Sequence, residues 1–239
     1  MTRYLIWDFD GTLGFRVGGW TSALVDVLRK KAPECRATAD DLRPHIQTGY
    51  PWHAPEQGYA IRTAEQWWED LAPVFERAFT AVGIDTSLAK IFAREVQGVY
   101  ANPECFELYE DTLPVLNQLS AQGWEHLILS NHIPELGTIV SHLGLTPLMT
   151  RVFNSAEMGY EKPHPLAFRG VLTLIDGAEA AWMIGDSLAA DVRGAEAVGI
   201  PAILVRQYRP EAARFCADLA GVAVLLGQVN MEAERVGPA

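Results

Sequence analysis

The run Tyr4-Leu5-Ile6-Trp7-Asp8 is of strand length, almost wholly apolar, and ends in an acid. A strand with one face in water alternates apolar and polar residues. A run that is apolar at nearly every position is buried on both faces, as a central strand of a parallel sheet covered by helices is. Such a sheet needs further strands, joined by helical crossovers. From about residue 105 the chain supplies them: short apolar runs at 126–130, 151–154, 181–184, 202–205 and 223–226 alternate with amphipathic stretches at 112–122, 134–143, 165–175 and 187–198. In the first of these stretches Leu113, Leu116 and Leu119 keep helical spacing and Gly123 stops the helix. The pattern predicts an α/β fold with a Rossmann-like parallel-sheet core.

Residues 15–105 break that alternation. Helical spacing dominates, with helices expected at 20–31, 63–82 and 87–100, the last capped by Asp85. Trp67, Trp68, Phe75 and Phe79 recur at intervals that put them on one helix face. The chain therefore divides into a catalytic core, 1–14 and 106–239, and an inserted all-helical cap domain, 15–105. Hinges are expected at Gly14, Gly18 and Gly19 and near Asn102 and Pro103. Within the insertion, 45–62 is rich in Pro, Gly and aromatic residues and reads as an ordered loop, and the tail from Asn230 reads as irregular.

A net charge of −11 and a pI near 5.0, with no basic run, exclude a nucleic-acid partner. No segment approaches the roughly 18 apolar residues of a membrane span, and the start turns charged too soon for a signal peptide. Cys35, Cys105 and Cys216 are odd in number and far apart, as reduced thiols are. These features lead us to expect a soluble cytoplasmic protein.

Four polar clusters stand just past the carboxyl ends of expected strands, where open α/β sheets bind their ligands. They are Asp8-Phe9-Asp10-Gly11-Thr12, Ser130-Asn131, Glu161-Lys162-Pro163, and Gly185-Asp186-Ser187 with Asp191. Alone, each reads as a turn or a helix cap. Together and in this order they resemble the haloacid dehalogenase superfamily of hydrolases, most of whose members are phosphatases and phosphotransferases. The likeness spans nearly the whole chain and includes a helical cap inserted soon after the first aspartate pair.

The resemblance implies roles that the chemistry of each residue supports. Asp8 would be the nucleophile, forming an aspartyl-phosphate. A carboxylate and a phosphate repel one another, so Mg²⁺ would bridge them, held by Asp8, the backbone carbonyl of Asp10 and Asp186, with Asp191 reached through water. Asp10, two residues on, would protonate the leaving group and later activate water. Ser130, Asn131, Gly11 and Thr12 would bind the phosphoryl oxygens. Of 19 Lys and Arg residues only Lys30, Lys31, Lys90 and Lys162 are lysines, and Lys162 alone lies in the core, where a compact ammonium suits the gap between Asp8 and the phosphoryl group. His132 and His164 read as turn residues.

The 45–62 loop is the expected specificity element, through His45, Tyr50, Trp52, His53 and Arg62. The implied activity is Mg²⁺-dependent hydrolysis of a small phosphorylated metabolite. A sugar-phosphate mutase would use the same residues. A receiver-type signalling module carries its aspartate on a middle strand and has no room for the insertion, and a catalytically dead binding protein would have lost a key residue.

Overall fold

The computed structural model describes the backbone of residues 2–236 and side chains through residue 228. Eight strands form among them: β1 (Arg3–Trp7), β2 (Gly14–Arg16), β3 (Phe106–Leu108), β4 (Trp124–Ser130), β5 (Met149–Asn154), β6 (Ala180–Gly185), β7 (Ala202–Val205) and β8 (Phe215–Cys216). Six make one sheet in the order β5-β4-β1-β6-β7-β8, every pair parallel.

The apolar run of β1 is explained by that position. Leu5 and Trp7 enter a core with Leu116, Leu119 and Val222, while Ile6 points to the opposite face and packs with Phe168, Val171 and Met183. All three are inaccessible to solvent, and each such side chain stabilises the fold by roughly 1.5–3 kcal/mol. The chain steps from β1 through β4 to β5 in one direction, then crosses to β6 and continues through β7 to β8 in the other. The reversal falls between β1 and β6, so a crevice opens at their carboxyl ends, which lead into Asp8 and Asp186.

Between β2 and β3 the chain is helical: α1 (Gly19–Lys31), α2 (Ala39–Leu42), α3 (Ala64–Ala81) and α4 (Thr86–Tyr100). Thr63 and Gln66 form a capping box at the start of α3, and Asp85 caps α4 by accepting from the Ser87 amide. Trp67, Trp68, Phe75 and Phe79 are buried, as their spacing required. β2 and β3 pair antiparallel as a two-stranded ribbon that carries the chain into and out of the helical segment. Three-residue strands are too short to show a period, which is why the sequence does not reveal them.

The expected strand at 223–226 is instead part of the helix Leu219–Val236. Leu219, Val222, Ala223 and Leu226 are all buried, an i, i+3, i+4, i+7 stripe. A four-residue apolar run cannot by itself separate strand from helix. The same helix replaces the irregular tail expected from Asn230 as far as Val236, and residues 237–239 lie outside the described residues. No helix of the described residues is long and apolar enough to cross a membrane.

Candidate active site

Asp8 follows β1, and its amide still donates to Ile184 O of β6 at 2.9 Å, so the sheet itself fixes the residue. Ser130, the last residue of β4, donates its hydroxyl to Asp8 Oδ1 at 2.8 Å. Lys162 reaches the same oxygen at 2.8 Å, Asp191 Oδ1 at 2.6 Å and Leu129 O at 2.6 Å. Three acceptors satisfy all three ammonium protons. Lys162 is 2% exposed, and the two carboxylates hold its proton more tightly than bulk water would despite the burial that opposes charge.

The lysine is positioned by Asn131, whose side chain accepts from the Lys162 amide at 2.7 Å and donates to the Lys162 carbonyl at 2.9 Å. Asn131 also lines the cleft above Asp8.

Asp186 follows β6, and Asp191 lies in a π-helical turn, Leu188–Arg193, opened by a Ser187 side chain that accepts from Ala190 N. π turns recur at functional sites because the extra residue re-aims side chains. A β-carbon at Gly185 would collide with the Asp191 carboxyl, and Gly11, at φ +81°, gives the same clearance to Asp186. Ligand oxygens of Asp8, Asp186 and Asp191 lie within 4.8 Å of one another. Burial, then the neighbouring charges of Asp8 and Asp191, push the Asp186 carboxyl up to about 7. Gln207 donates to its Oδ2 at 2.9 Å.

Asp10 stands apart from this trio. Its Oδ2 is 3.4 Å from His132 Nε2; the Asp10 side chain is 43% exposed and that of His132 is 1% exposed. Partial burial within the cleft raises the Asp10 pKa; His132 opposes the rise and Asp8 adds to it. From the sequence His132, just after Ser130-Asn131, is within reach of the crevice mouth but reads as a turn residue. In the structure its ring is wedged between Phe9 and Phe106 with Nε2 aimed at Asp10.

Several expected placements change. Gly11 and Thr12 do not line the cleft: their amides donate to Gly14 O and Phe9 O within their own turn, and the Thr12 hydroxyl is fully buried. Arg206 holds the Thr12 carbonyl through two hydrogen bonds of 2.9 and 2.8 Å. Of the five expected specificity residues, Trp52 lines the cleft and the other four do not. Tyr50, His53 and Arg62 line a separate cavity of about 420 Å³, where Arg62 pairs with Asp70. His45 closes a short 3₁₀ turn, and its carbonyl accepts from Arg77. The physical reason is the turn Pro51–His53, which faces Trp52 into the Asp8 cleft and its neighbours elsewhere. Trp52 and Pro55 from the loop, Trp20 from α1 and Tyr100 from α4 wall the cleft instead.

The segment between β2 and β3 also meets the rest of the chain at partly buried polar contacts. Tyr59 donates to Glu161 Oε1 at 2.6 Å, and Glu135 accepts from Trp68 Nε1 and Gln97 Nε2, each at 3.0 Å. Glu161 is fully buried, which pushes its pKa up, so its place in the Glu161-Lys162-Pro163 cluster is explained by packing against Tyr59.

A family model for haloacid dehalogenase-like hydrolases matches residues 2–199. A haloacid dehalogenase-like hydrolase domain-containing protein 3 of Bos taurus is 29% identical over 150 residues, which are 62% of this chain and 59% of that protein. The chain thus spans less than two thirds of that relative's length. A phosphoserine phosphatase of Thermus thermophilus is 29% identical over 235 residues, covering 91% of this chain and 94% of its own. In fold, the chain is similar to a magnesium-bound HAD-hydrolase of Bacillus subtilis, with a TM-score of 0.70 and 21% identity over 95% of this chain and 99% of that one.

Proposed function

Because the chain belongs to the haloacid dehalogenase-like hydrolases, we propose that it is a Mg²⁺-dependent phosphatase acting on a small phosphate monoester through an aspartyl-phosphate on Asp8. The observation that carries this reading is the convergence of Asp8, Asp186 and Asp191 around one buried ammonium, Lys162.

The donor set fits a hard divalent cation. Three carboxylates lie close together, Lys162 pairs with two of them, and burial followed by the charges of Asp8 and Asp191 raises Asp186, an arrangement that a divalent cation would relieve. Asp8, Asp186 and the Asp10 carbonyl would hold the ion directly. Asp191 is already engaged, one oxygen by Lys162 and the other by the Ser187 amide, which suits contact through water. When bound, Mg²⁺ supplies charge neutralisation between the Asp8 carboxylate and the phosphoryl oxygens.

The rest follows from the chain's own groups. Ser130 and Lys162 both bind Asp8 Oδ1, which leaves Oδ2 to attack phosphorus. As the new O–P bond forms, the ester O–P bond breaks and Asp10 gives its proton to the departing alkoxide. Asp10 then takes a proton from water as that water attacks phosphorus, releasing phosphate and restoring Asp8. The helical segment closes over the cleft through Trp52, and the Glu135 and Glu161 contacts hold it there; the β2–β3 ribbon is the place for its hinge.

The acid role of Asp10 has a graded test. An alkoxide is strongly basic and needs protonation, whereas p-nitrophenolate leaves as the anion. In single-turnover kinetics, Asp10→Asn should slow aspartyl-phosphate formation by about 10²-fold or more for an alkyl phosphate and by far less for p-nitrophenyl phosphate. Equal losses would remove Asp10 from the acid role, and His132 would then be tested in its place.

Metal and proton compete at Asp186. A carboxyl that titrates near 7 when folded and near 3.8 when unfolded binds its proton more tightly in the folded state. The metal-free fold therefore loses stability as pH rises through that window, by about 1–3 kcal/mol. Mg²⁺ replaces the proton and should cancel the loss. Melting curves in EDTA should fall from about pH 4 to about pH 7 and level off above it, while those in Mg²⁺ stay flatter. Asp186→Asn should make the EDTA series shallower, the remainder coming from Asp191 and Glu161, whose pKa values are also raised; a slope unchanged in that variant would assign the titration elsewhere.

A further inference from the structure

The cleft above Asp8 has a volume of about 500 Å³, far more than a phosphoryl group fills, so its walls bear on what the leaving group can be. Beyond the polar floor they are largely apolar and aromatic: Trp20, Trp52, Pro55, Tyr100 and Ile133. These rings are already fixed. Trp20 stacks on Tyr100 with centroids 3.5 Å apart and planes 11° from parallel, and Tyr50 backs Trp52 at 4.9 Å and 12°. Side chains held in place before binding lose little rotamer freedom when a ligand arrives.

Charge narrows the choice further. The charged and titratable lining residues are Asp8, Asp10, Asp191, Lys162 and His132; the lysine's three protons are all engaged, and His132 Nε2 faces Asp10 at 3.4 Å. Arg16 packs over the Tyr100 ring but donates to the carbonyls of Val17, Gly19, Val99 and Tyr100. Arg62 pairs with Asp70 at the other cavity. A leaving group with its own carboxylate or second phosphate would enter beside three carboxylates and find no uncommitted Lys or Arg among the lining residues. An unpaired charge in such a place is strongly disfavoured.

We propose that the phosphate monoester this cleft accepts has an uncharged leaving group with a flat aromatic face, seated on Trp52 and bordered by Trp20 and Tyr100, whose own faces are taken up by each other, Phe75 and Arg16. This rests on the phosphatase reading above and narrows it to a substrate class. Stacking supplies the affinity that ion pairing supplies elsewhere, and the absence of a counter-charge excludes carboxylated analogues.

The test compares three substrates that all release alkoxides, so that intrinsic reactivity does not decide the order: 2-phenylethyl phosphate, glycerol phosphate and phosphoglycolate. With the full chain and Mg²⁺, kcat/KM for 2-phenylethyl phosphate should exceed the other two by about tenfold or more. Trp52→Ala should reduce that ratio by about tenfold. Any order in which 2-phenylethyl phosphate is not preferred overturns the proposal. Beryllium fluoride separates the two levels of failure. If it binds at Asp8 while phosphoglycolate or glycerol phosphate is preferred, the phosphatase reading stands and the substrate class is wrong. If it does not bind and none of the three is hydrolysed, the phosphatase reading falls and the substrate class with it.

Discussion

Asp8→Asn is expected to lower kcat by about four orders of magnitude or more, with the fold retained. The amide keeps an oxygen that can accept from Ser130 and Lys162, as Oδ1 does now, so the local hydrogen bonds survive. Asp191 remains as a counter-charge for the buried ammonium. What the amide lacks is the nucleophilic carboxylate, and without it no acyl-phosphate can form. The measurement is kcat under saturating substrate beside a thermal melt. A variant within tenfold of the parent would reassign the nucleophile.

Lys162→Met carries the second large effect, and it acts on both activity and stability. Methionine fills a similar volume but leaves Asp8 and Asp191 buried and close together without their shared cation. Breaking a buried ion pair from one side costs about 3–5 kcal/mol, because the remaining charge is uncompensated. Activity should fall by at least two to three orders of magnitude, since the charge beside the reacting carboxylate is lost. The double variant Lys162→Met, Asp191→Asn separates the two consequences. Removing the stranded charge while keeping an acceptor for the Ser187 amide should restore most of the denaturant midpoint and none of the turnover. Restored turnover in the double variant would reduce Lys162 to a structural role.

The sequence made some of this architecture plain for identifiable reasons. A strand buried on both faces is apolar at successive positions, so β1 stood out in Leu5, Ile6 and Trp7, whose burial on opposite faces the structure bears out. Helices long enough to show a stripe, as α3 is through Trp67, Trp68, Phe75 and Phe79, were equally clear. The short pieces were not. The β2–β3 ribbon offers three residues a side, and 223–226 fits either period until the burial of Leu219 extends the stripe.

At the site, residues that follow a strand end in sequence could be placed: Asp8, Ser130 and Asp186 fall where their strands stop. Residues brought in by tertiary packing could not. Trp20 and Tyr100 are eighty positions apart and meet because α1 packs on α4. His132 reaches Asp10 through the wedge of Phe9 and Phe106, and Gln207 reaches Asp186 from beyond β7, with no local pattern to announce either contact. Thr12 shows the converse: its position in the Asp8–Thr12 motif points to phosphate, yet its buried hydroxyl and the Arg206 bonds to its carbonyl turn it inward.

The central claim is a covalent phosphoryl group on one carboxylate, and rapid acid quench during turnover tests it most directly. Acid slows acyl-phosphate hydrolysis, so intact-protein mass spectrometry should show one added phosphoryl group during the steady state. Peptide mapping should place it on Asp8, and with p-nitrophenyl phosphate, whose phenolate departs without protonation, Asp10→Asn should raise its occupancy by slowing the water attack. A phosphoryl group on another residue, or undiminished turnover with no adduct at any quench time, would contradict the account.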